Sequence, residues 1–106
     1  MTDRFDIVWV RLDSTIGKEI KKTRPCVIIS PHELNHTLAT IIVVPLTSTI
    51  KNWPFRLKIS HRGSNSSMAF DQTRAISKSR IIKKDGILSK ADSVKALNIP
   101  QTMFAD

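Results

Sequence analysis

The chain has a single cysteine, Cys26, among its 106 residues. One thiol allows neither an intrachain disulfide nor a cysteine cage for a metal ion. Because Cys26 lies between Pro25 and the β-branched pair Val27 and Ile28, we interpret it as a small buried hydrophobic residue rather than as a reactive thiol.

Long apolar runs are also missing. The chain has no apolar stretch of about 18 residues, and Met1-Thr2-Asp3-Arg4 leads directly into a strand-like segment instead of a basic and then apolar leader. Hydrophobic residues make up 41% of the chain and charged residues 25%, which argues against wholesale disorder. We therefore expect one domain over residues 1–106, a cytoplasmic location and no membrane partner.

Acidic residues are scarce between positions 51 and 84, where nine lysines and arginines are accompanied by Asp71 alone. The rest of the chain has eight basic and eight acidic residues, so this window carries the whole formal charge of +8. Contacts to phosphate supply sequence-independent affinity and steer association, and they require such a concentration of positive charge. A solvated basic face is the alternative. The charge distribution favours a nucleic-acid partner.

The segments that are present predict a mostly β chain. Apolar or alternating runs predict strands at residues 5–12, 25–30, 40–46 and 54–59, with further strand segments at 68–70, 75–76, 81–82 and 87–88. Residues 13–22 and 63–67 read as loops, and Asp85-Gly86 reads as a turn. Ser89 begins a helix with an apolar face of Val94, Ala96 and Leu97, which must end near Pro100. The pattern predicts a small antiparallel barrel or curled sheet with a terminal helix against it.

Residues 32–36 read His-Glu-Leu-Asn-His, a formal match to the H-E-x-x-H zinc motif. That motif places two histidines one helical turn apart on a long helix and needs a third protein ligand. Only about two helical turns fit between Ser30 and the next apolar run at Thr40, and His61 is the sole later histidine. We therefore predict a short surface helical turn with solvated histidines and no metal site.

Polar residues stand at the ends of three apolar runs. Thr23-Arg24-Pro25 precedes the run at 27–29, Thr47-Ser48-Thr49 follows the run at 40–46, and Asp71-Gln72-Thr73-Arg74 follows Phe70. An exposed arginine paired with a carboxylate, and hydroxyls that only form turns, are the local alternatives.

Five blocks of sequence carry a family resemblance between residues 5 and 97. In chain order they are Asp6-Ile7-Val8-Trp9-Val10 with Leu12-Asp13, Gly17 and Glu19; Thr23-Arg24-Pro25 with Val27-Ile28-Ile29-Ser30-Pro31; Val43-Val44-Pro45-Leu46-Thr47-Ser48; Asp71-Gln72-Thr73-Arg74; and Lys78-Ser79-Arg80. With these blocks the chain resembles the MazF/PemK (Kid) toxins of bacterial toxin–antitoxin systems, small dimeric endoribonucleases that cut single-stranded RNA. The resemblance implies an SH3-like antiparallel β-barrel with a C-terminal α-helix, a homodimer, a cognate antitoxin and cleavage without a cofactor.

The resemblance also implies roles for individual residues. Arg24 and Thr47 match the arginine and threonine regarded as catalytic in the family, and Asp71 matches the aspartate proposed as the base in its Kid branch. The residues that we expect along the RNA path are Lys18, Ser48, Lys51, Arg56, Gln72, Arg74 and Lys78. Lys18 takes the position of a histidine implicated in the Kid branch, and Ser14, Ala75 and Ser77 also depart from the family pattern.

The family's reaction makes chemical demands that these residue types meet. Attack by the ribose 2′-oxygen on the adjacent phosphorus builds negative charge on the non-bridging oxygens and yields a 2′,3′-cyclic phosphate and a 5′-hydroxyl. The planar fork of Arg24 holds two phosphate oxygens at once without losing its charge, and Thr47 can donate a hydrogen bond to the same oxygens. Asp71 is the first candidate for the base and His61 the alternative. DNA has no 2′-hydroxyl, so we expect it to bind without being cut.

Two other functions remain open on the sequence alone. A basic barrel that only binds nucleic acid explains the charge but leaves the blocks around Arg24, Thr47 and Asp71 unexplained. A protein-targeting toxin like the gyrase poison CcdB shares the expected fold, but that branch ends in Trp-Gly-Ile, whereas this chain ends in Met103-Phe104-Ala105-Asp106.

Overall fold

The computed structural model describes residues 2–11, 23–50 and 53–103, with side chains described as far as residue 101. The described segments form seven strands and two α-helices, which are, in chain order, β1 (Asp6–Arg11), β2 (Thr23–Ile28), α1 (His32–Thr37), β3 (Thr40–Thr47), β4 (Arg56–His61), β5 (Ser64–Ala69), β6 (Arg74–Ser77), β7 (Ile81–Ile87) and α2 (Lys90–Met103). Short 3₁₀ turns at Phe70–Gln72 and Lys78–Arg80 flank β6. The predicted loop at 13–22, together with Lys18 and Lys51, lies outside the described residues.

The strands form one antiparallel sheet in the order β4-β5-β3-β2-β1-β7, and β6 pairs with β3 beside β5. The sheet curls until its two edge strands meet through side chains. His61 at the end of β4 lies 3.0 Å from the Asp85 carboxylate on β7, and Arg62 pairs with the same carboxylate. The predicted mostly β fold, a curled antiparallel sheet with a C-terminal helix, is confirmed.

Both faces of the central strands are buried. Val27 and Val44 belong to a cluster completed by β4, β5 and α2, whereas Cys26 and Val43 belong to a second cluster that includes Ile76 of β6. Successive side chains of a strand point to opposite faces, so a strand covered on both faces is continuously apolar. This arrangement explains why the two most hydrophobic runs of the sequence became β2 and β3.

Two prolines lie inside strands rather than at their ends, which corrects the predicted bounds. β2 begins at Thr23, before Pro25, and its pairing with β3 begins only at Cys26, so on that side Pro25 lies beyond the ladder. β3 continues past Pro45 to Thr47. On its far edge β3 pairs with β6 as far as Val43 and with β5 from Leu46 onward. Pro45 falls in the gap between these partners, where a missing N–H breaks no ladder bond.

The predicted loop at 63–67 and the predicted turn at Asp85-Gly86 are wrong. Ser64 already begins β5, because Arg62 and Gly63 form a two-residue hairpin with positive φ angles of 52° and 77°. Positive φ at both central residues matches the right-handed twist of the flanking strands. Asp85 and Gly86 lie inside β7, where the register against β1 shifts between Asp6 and Val8.

Helix α2 begins as predicted and ends later than predicted. The Ser89 hydroxyl accepts a hydrogen bond from the Asp92 amide at 3.1 Å, which caps the first turn. The helix continues through Pro100 to Met103. Its buried face is formed by Ser93 and Ala96, with Ile99 packed against the core, whereas Val94 and Leu97 of the predicted face are exposed. Neither described helix has the length and hydrophobicity that a membrane crossing requires.

Candidate active site

An open cavity of about 350 Å³ lies where β2 begins and β3 ends. Its lining consists of Trp9, Thr23, Arg24, Pro25, Leu46, Thr47, Ser48 and Ser66. The antiparallel register explains this meeting, because Cys26 pairs with Pro45 and the residues just before Cys26 and just after Pro45 must emerge at the same edge. The predicted pair Arg24 and Thr47 therefore shares one cavity, and Ser48 lies beside them.

The Thr47 hydroxyl is oriented by its own loop. Its Oγ1 accepts a hydrogen bond from the Thr49 amide at 3.2 Å. A hydroxyl that accepts in this way keeps its proton for donation. Across the ladder from Thr47 lies Ser67, whose side chain is 1% exposed and whose Oγ has no hydrogen-bond partner among the described residues. The edge of the cavity at β3 and β5 is therefore rich in hydroxyls, and one of them is buried and unsatisfied.

Arg24 and Arg74 act on the same buried thiol. Burial raises the pKa of Cys26 to about 12, while the positive charges of Arg24 and Arg74 oppose that rise. In the register Arg74 lies opposite Val43, and Val43 lies opposite Ile28, two residues from Cys26 on the same face. The fold thus brings Arg74 to the same side of the sheet as Arg24, which adds a second positive charge close to the cavity.

Trp9 connects the cavity to a network centred on Asp85. The indole Nε1 of Trp9 donates to Asp85 Oδ2 at 3.1 Å, and His61 Nε2 lies 3.0 Å from the same oxygen. Hydrogen bonds from His61, Arg62 and Trp9 lower the pKa of Asp85 to about 2. The hydrogen bond from Trp9 fixes the orientation of the indole ring. The Asp85 carboxylate also links His61 to Trp9, which lines the cavity.

Asp71 forms a separate ion pair. Arg56 Nε donates to Asp71 Oδ1 at 2.7 Å, and Arg56 Nη2 donates to Oδ2 at 3.0 Å. The Arg56 guanidinium also lies 5.0 Å from the centre of the Trp53 ring, and its side chain is only 6% exposed. Asp71 does not line the Arg24 cavity. The pair instead holds the 3₁₀ turn at Phe70–Gln72 against the start of β4.

A second, basic cleft of about 430 Å³ lies at the end of β1. It is lined by Arg11, Ser79, Arg80, Ile81 and Ile82, and Arg80 Nη1 donates to the Arg11 carbonyl at 3.2 Å. Arg11 pairs with Thr23, and Val10 pairs with both Arg24 and Ile81. The cleft and the Arg24 cavity therefore lie on the same end of neighbouring strands.

The chain is similar in sequence to known toxins. Residues 3–101 match the family described as PemK-like, MazF-like toxin of type II toxin–antitoxin system. The chain belongs to this family. The endoribonuclease toxin MazF of Escherichia coli K12 is 32% identical over 74 residues, which cover 70% of this chain and 67% of that protein.

Solved MazF structures share the fold over nearly the whole chain. MazF from Deinococcus radiodurans superposes with a TM-score of 0.80 at 21% identity, covering 98% of this chain and 96% of that one. A chain of the MazE–MazF complex from the same organism gives a TM-score of 0.79 at 22% identity, with the same coverage. At such identities the likeness concerns the fold.

The structure groups the predicted residues of this PemK/MazF-like toxin unequally. Arg24, Thr47 and Ser48 share the cavity, and Arg74 lies on the same side of the sheet. Asp71 and Arg56 form their own pair, and Gln72 is exposed in the same 3₁₀ turn as Asp71. The amide of Lys78 donates to the Ala39 carbonyl just before β3, so this residue lies beside the beginning of the strand that ends at Thr47.

Several residues that line the two cavities were assigned no role from the sequence, among them an aromatic ring, a hydroxyl and two cations. Trp9 and Ser66 line the first cavity, and Arg11 and Arg80 line the second. β1 ends in a cation, Arg11, and this position at a strand end could have indicated the basic cleft. No local signal marks Ser66, because its position in the cavity depends on the pairing of β5 with β3.

Proposed function

We propose that this chain is a MazF-like endoribonuclease toxin that cuts single-stranded RNA at the cavity between β2 and β3. The observation that carries the proposal is the joint placement of Arg24 and Thr47 in that cavity. Membership of the toxin family and the 32% identity to a protein named endoribonuclease toxin MazF support it.

The proposed reaction is an internal transfer that needs no metal ion. The ribose 2′-hydroxyl loses its proton and its oxygen bonds to phosphorus, the bond from phosphorus to the 5′-oxygen breaks, and the 5′-oxygen takes up a proton, so the products are a 2′,3′-cyclic phosphate and a 5′-hydroxyl. Arg24 holds two non-bridging oxygens through its planar fork, and the Thr47 hydroxyl donates a hydrogen bond to one of them. Both donors act more strongly on the doubly charged five-coordinate state than on the starting phosphodiester, which is the requirement for catalysis.

The surroundings suggest how RNA would lie. Trp9 offers a half-buried ring beside Arg24, and unstacked bases bind to such rings. Several cations can follow the phosphate backbone away from the scissile bond, namely Arg11 and Arg80 of the basic cleft, Arg74 on the same side of the sheet as Arg24, and Lys78, which precedes Ser79 of the cleft. We include Ser48 and Gln72 as hydrogen-bond donors and acceptors for bases. RNA sequence selectivity would then depend on the cavity between Trp9 and Ser66.

Two groups are candidates for moving the proton of the 2′-hydroxyl. Both oxygens of Asp71 are engaged by Arg56, so a role for Asp71 as the base requires Arg56 to release one of them, for example to a phosphate. His61 is oriented by Asp85 and leaves its Nδ1 for other partners, which is the arrangement of a base with an orienting carboxylate. Comparing the pH–rate profiles of Asp71→Asn and His61→Gln assigns the role, because loss of the base removes one limb of the profile.

The decisive experiment incubates the purified protein in EDTA with a defined single-stranded RNA and with DNA of the same sequence. We expect the RNA alone to be cut, with 2′,3′-cyclic phosphate ends that a phosphatase acting only on monoesters leaves in place. Arg24→Ala should abolish cleavage while RNA affinity stays within about tenfold, because one phosphate contact is a small part of a many-contact interface. Leu34→Ala, an exposed residue of α1, is the matched control.

Several outcomes would contradict the proposal. Intact RNA, or cleavage that chelation abolishes, rules out the metal-independent mechanism. Binding of RNA and DNA without any cleavage favours a basic barrel that only binds nucleic acid. Full activity of Arg24→Ala shows that the site is elsewhere.

We also propose a cognate antitoxin and a homodimer as partners. A MazE–MazF complex is known from Deinococcus radiodurans, and another solved structure is described as an endoribonuclease in complex with its cognate antitoxin from a mycobacterial species. The exposed side chains Trp53, Phe55 and Val94 offer apolar contact area for such partners. Sedimentation equilibrium of the toxin alone tests the dimer, and suppression of RNA cleavage by the co-expressed antitoxin tests the complex.

A further inference from the structure

The motif His32-Glu-Leu-Asn-His36 forms the first half of a cluster that the proposed ribonuclease function does not use. As predicted, it folds as a short surface helix, α1. Its two histidines lie one turn apart on the same face, with ring centres separated by 4.0 Å. The sequence alone predicts no metal site here, because no third ligand follows this motif in the chain. The structure supplies a third ligand from upstream.

That ligand is Asp3. Its Oδ1 lies 3.4 Å from His32 Nδ1 and 3.4 Å from His36 Nε2. One ligand atom from each of the three residues lies within 4.8 Å of the others. With zinc–ligand bonds of about 2.0–2.2 Å, the edge of a ligand tetrahedron is about 3.4 Å. Two of the three edges therefore already have the length that a tetrahedral zinc ion requires.

The segment that carries Asp3 is fixed to the sheet. The Asp3 amide donates to Asp6 Oδ2 at 3.0 Å, and Asp6 is 1% exposed. The next residues are held in turn, because Arg4 Nε donates to the Ile29 carbonyl at 3.0 Å and the Phe5 amide donates to the Ile28 carbonyl at 2.6 Å. Asp3 is therefore positioned by contacts that do not involve the histidines.

The helix that carries the histidines is also fixed. Between them lies Asn35, which is fully buried and donates through Nδ2 to the Ser30 carbonyl at 2.8 Å. The Ser30 hydroxyl bonds to Asn35 Oδ1 and accepts from the Ile42 amide at 3.1 Å. A ligand set carried on two independently anchored segments loses little freedom when it binds an ion, which favours affinity.

We propose that Asp3, His32 and His36 bind one Zn²⁺ ion at the surface, through Asp3 Oδ1, His32 Nδ1 and His36 Nε2, with water as the fourth ligand. Two imidazoles and a carboxylate are a ligand set suited to zinc. The bound ion joins the segment before β1 to α1, and it stabilises the folded chain by an amount that grows with the logarithm of the free Zn²⁺ concentration above the dissociation constant. α1 follows the C-terminal end of β2, whereas Arg24 lies near its N-terminal end, so the zinc site is separate from the RNA cavity.

The first test is a calorimetric titration of the untagged, chelator-treated full chain with Zn²⁺. We expect about one equivalent to bind. Asp3→Ala and His36→Ala should each weaken binding at least tenfold, since even residues that only support a ligand are worth about 10–100-fold in metal affinity. Glu33→Gln changes an exposed charge within the same motif without removing a ligand, and it should bind as the unaltered chain does.

The second test follows the histidine rings and the melting temperature. Long-range ¹H–¹⁵N spectra of the histidine rings should show Zn²⁺ shifting Nδ1 of His32 and Nε2 of His36 while His61 stays unchanged. The same Zn²⁺ should raise the melting temperature of the unaltered chain and of Glu33→Gln, but not that of Asp3→Ala.

Three outcomes would overturn the zinc site. The first is no Zn²⁺ binding, the second is equal binding by Asp3→Ala, and the third is ring shifts at His61 instead of His32 and His36. RNA cleavage by His36→Ala in EDTA should equal that of the unaltered chain. The zinc site and the ribonuclease proposal therefore succeed or fail independently.

Discussion

At the scale of single residues, the cavity shows how a buried neighbour supports a side chain that lines it. Arg24 is half-buried and its carbonyl accepts a weak hydrogen bond from Cys26 Sγ at 3.7 Å. Cys26 itself is fully buried. Its apolar surroundings fix the strand that presents Arg24. Pro25, which has no N–H, lies beyond the ladder with β3, so no ladder hydrogen bond is lost there. The guanidinium is thus held at the cavity by the packing of the residues that follow it.

The Cys26 thiol should be unreactive in the folded chain. Burial raises its pKa from 9.0 to about 12, so the fraction of thiolate at pH 8 is roughly a thousandfold lower than in a free cysteine. We expect iodoacetamide to alkylate Cys26 at pH 8 far more slowly in buffer than in denaturant, as followed by mass spectrometry. A free cysteine peptide provides the reference rate. Comparable rates with and without denaturant would show that the thiol is not buried.

At the scale of elements, one helix is stabilised by contacts local in sequence and the other by contacts with the sheet. Helix α2 uses a local cap, because Ser89 accepts from the Asp92 amide and the Ser89 carbonyl accepts from the Ser93 amide at 2.8 Å. Helix α1 has no side-chain cap at Pro31, and the Asn35–Ser30 network ties it to the sheet instead. Short helices gain most of their stability from tertiary packing, and α1, with six residues, follows that rule.

Removing the cap of α2 should cost measurable stability. Ser89→Ala leaves the Asp92 amide without its side-chain acceptor, and we expect the free energy of unfolding to fall by about 1 kcal/mol. Ser89→Asp retains an acceptor and should stay close to the unaltered chain. Urea unfolding followed by circular dichroism measures both variants, with Ser64→Ala at an exposed strand position as the control. A loss equally large for Ser89→Asp would contradict the capping role.

At the scale of the whole molecule, Asp85 closes the sheet. Its carboxylate accepts from Trp9 on β1, pairs with His61 at the end of β4 and with Arg62 in the following turn, and lies on β7 itself. Backbone pairing alone leaves β4 and β7 as separate edges of the described sheet. This one side chain therefore joins the two ends of the strand order and orients a residue of the Arg24 cavity.

The Asp85 network should make stability fall in acid. The pKa of Asp85 is lowered from 3.8 to about 2, chiefly by the hydrogen bond from His61. Between these values the unfolded chain binds a proton that the folded chain does not, so the stabilisation is present above about pH 4 and is lost as the pH falls toward 2. Urea unfolding at pH 5 and pH 3 should show a smaller loss in Asp85→Asn than in the unaltered chain.

Asp85→Asn should also be less stable than the unaltered chain at pH 7, by about 2 kcal/mol, because hydrogen bonds to a charged group are weakened or lost. Asp92→Asn makes the same charge change outside the network and is the control. An identical dependence on pH in Asp85→Asn and the unaltered chain would show that another carboxylate is responsible.

The sequence by itself determined the features that rest on contacts between near neighbours. The continuous apolar runs had to become strands covered on both faces, and Ser89 had to cap a helix. The clustering of nine basic residues between positions 51 and 84 is a property of the sequence itself. Arg24 and Thr47 could be predicted as partners because each stands at the end of such a run and matches a family block. The positions of Pro25 and Pro45 were misjudged, because the ladder around each proline is decided by its partners.

Only the tertiary structure decided which distant side chains meet. Trp9 and Asp85 are 76 residues apart, and the pairing of β1 with β7, which sets Trp9 opposite Lys83, brings them together. The pairing of β4 with β5 sets Arg56 opposite Ala69, two residues before Asp71, and so gives Asp71 to Arg56 instead of to the Arg24 cavity. Asp3 reaches His32 and His36 because the segment before β1 lies beside the end of β2. Short-range propensities set the elements, whereas strand register and sheet closure, which depend on the whole chain at once, set the sites.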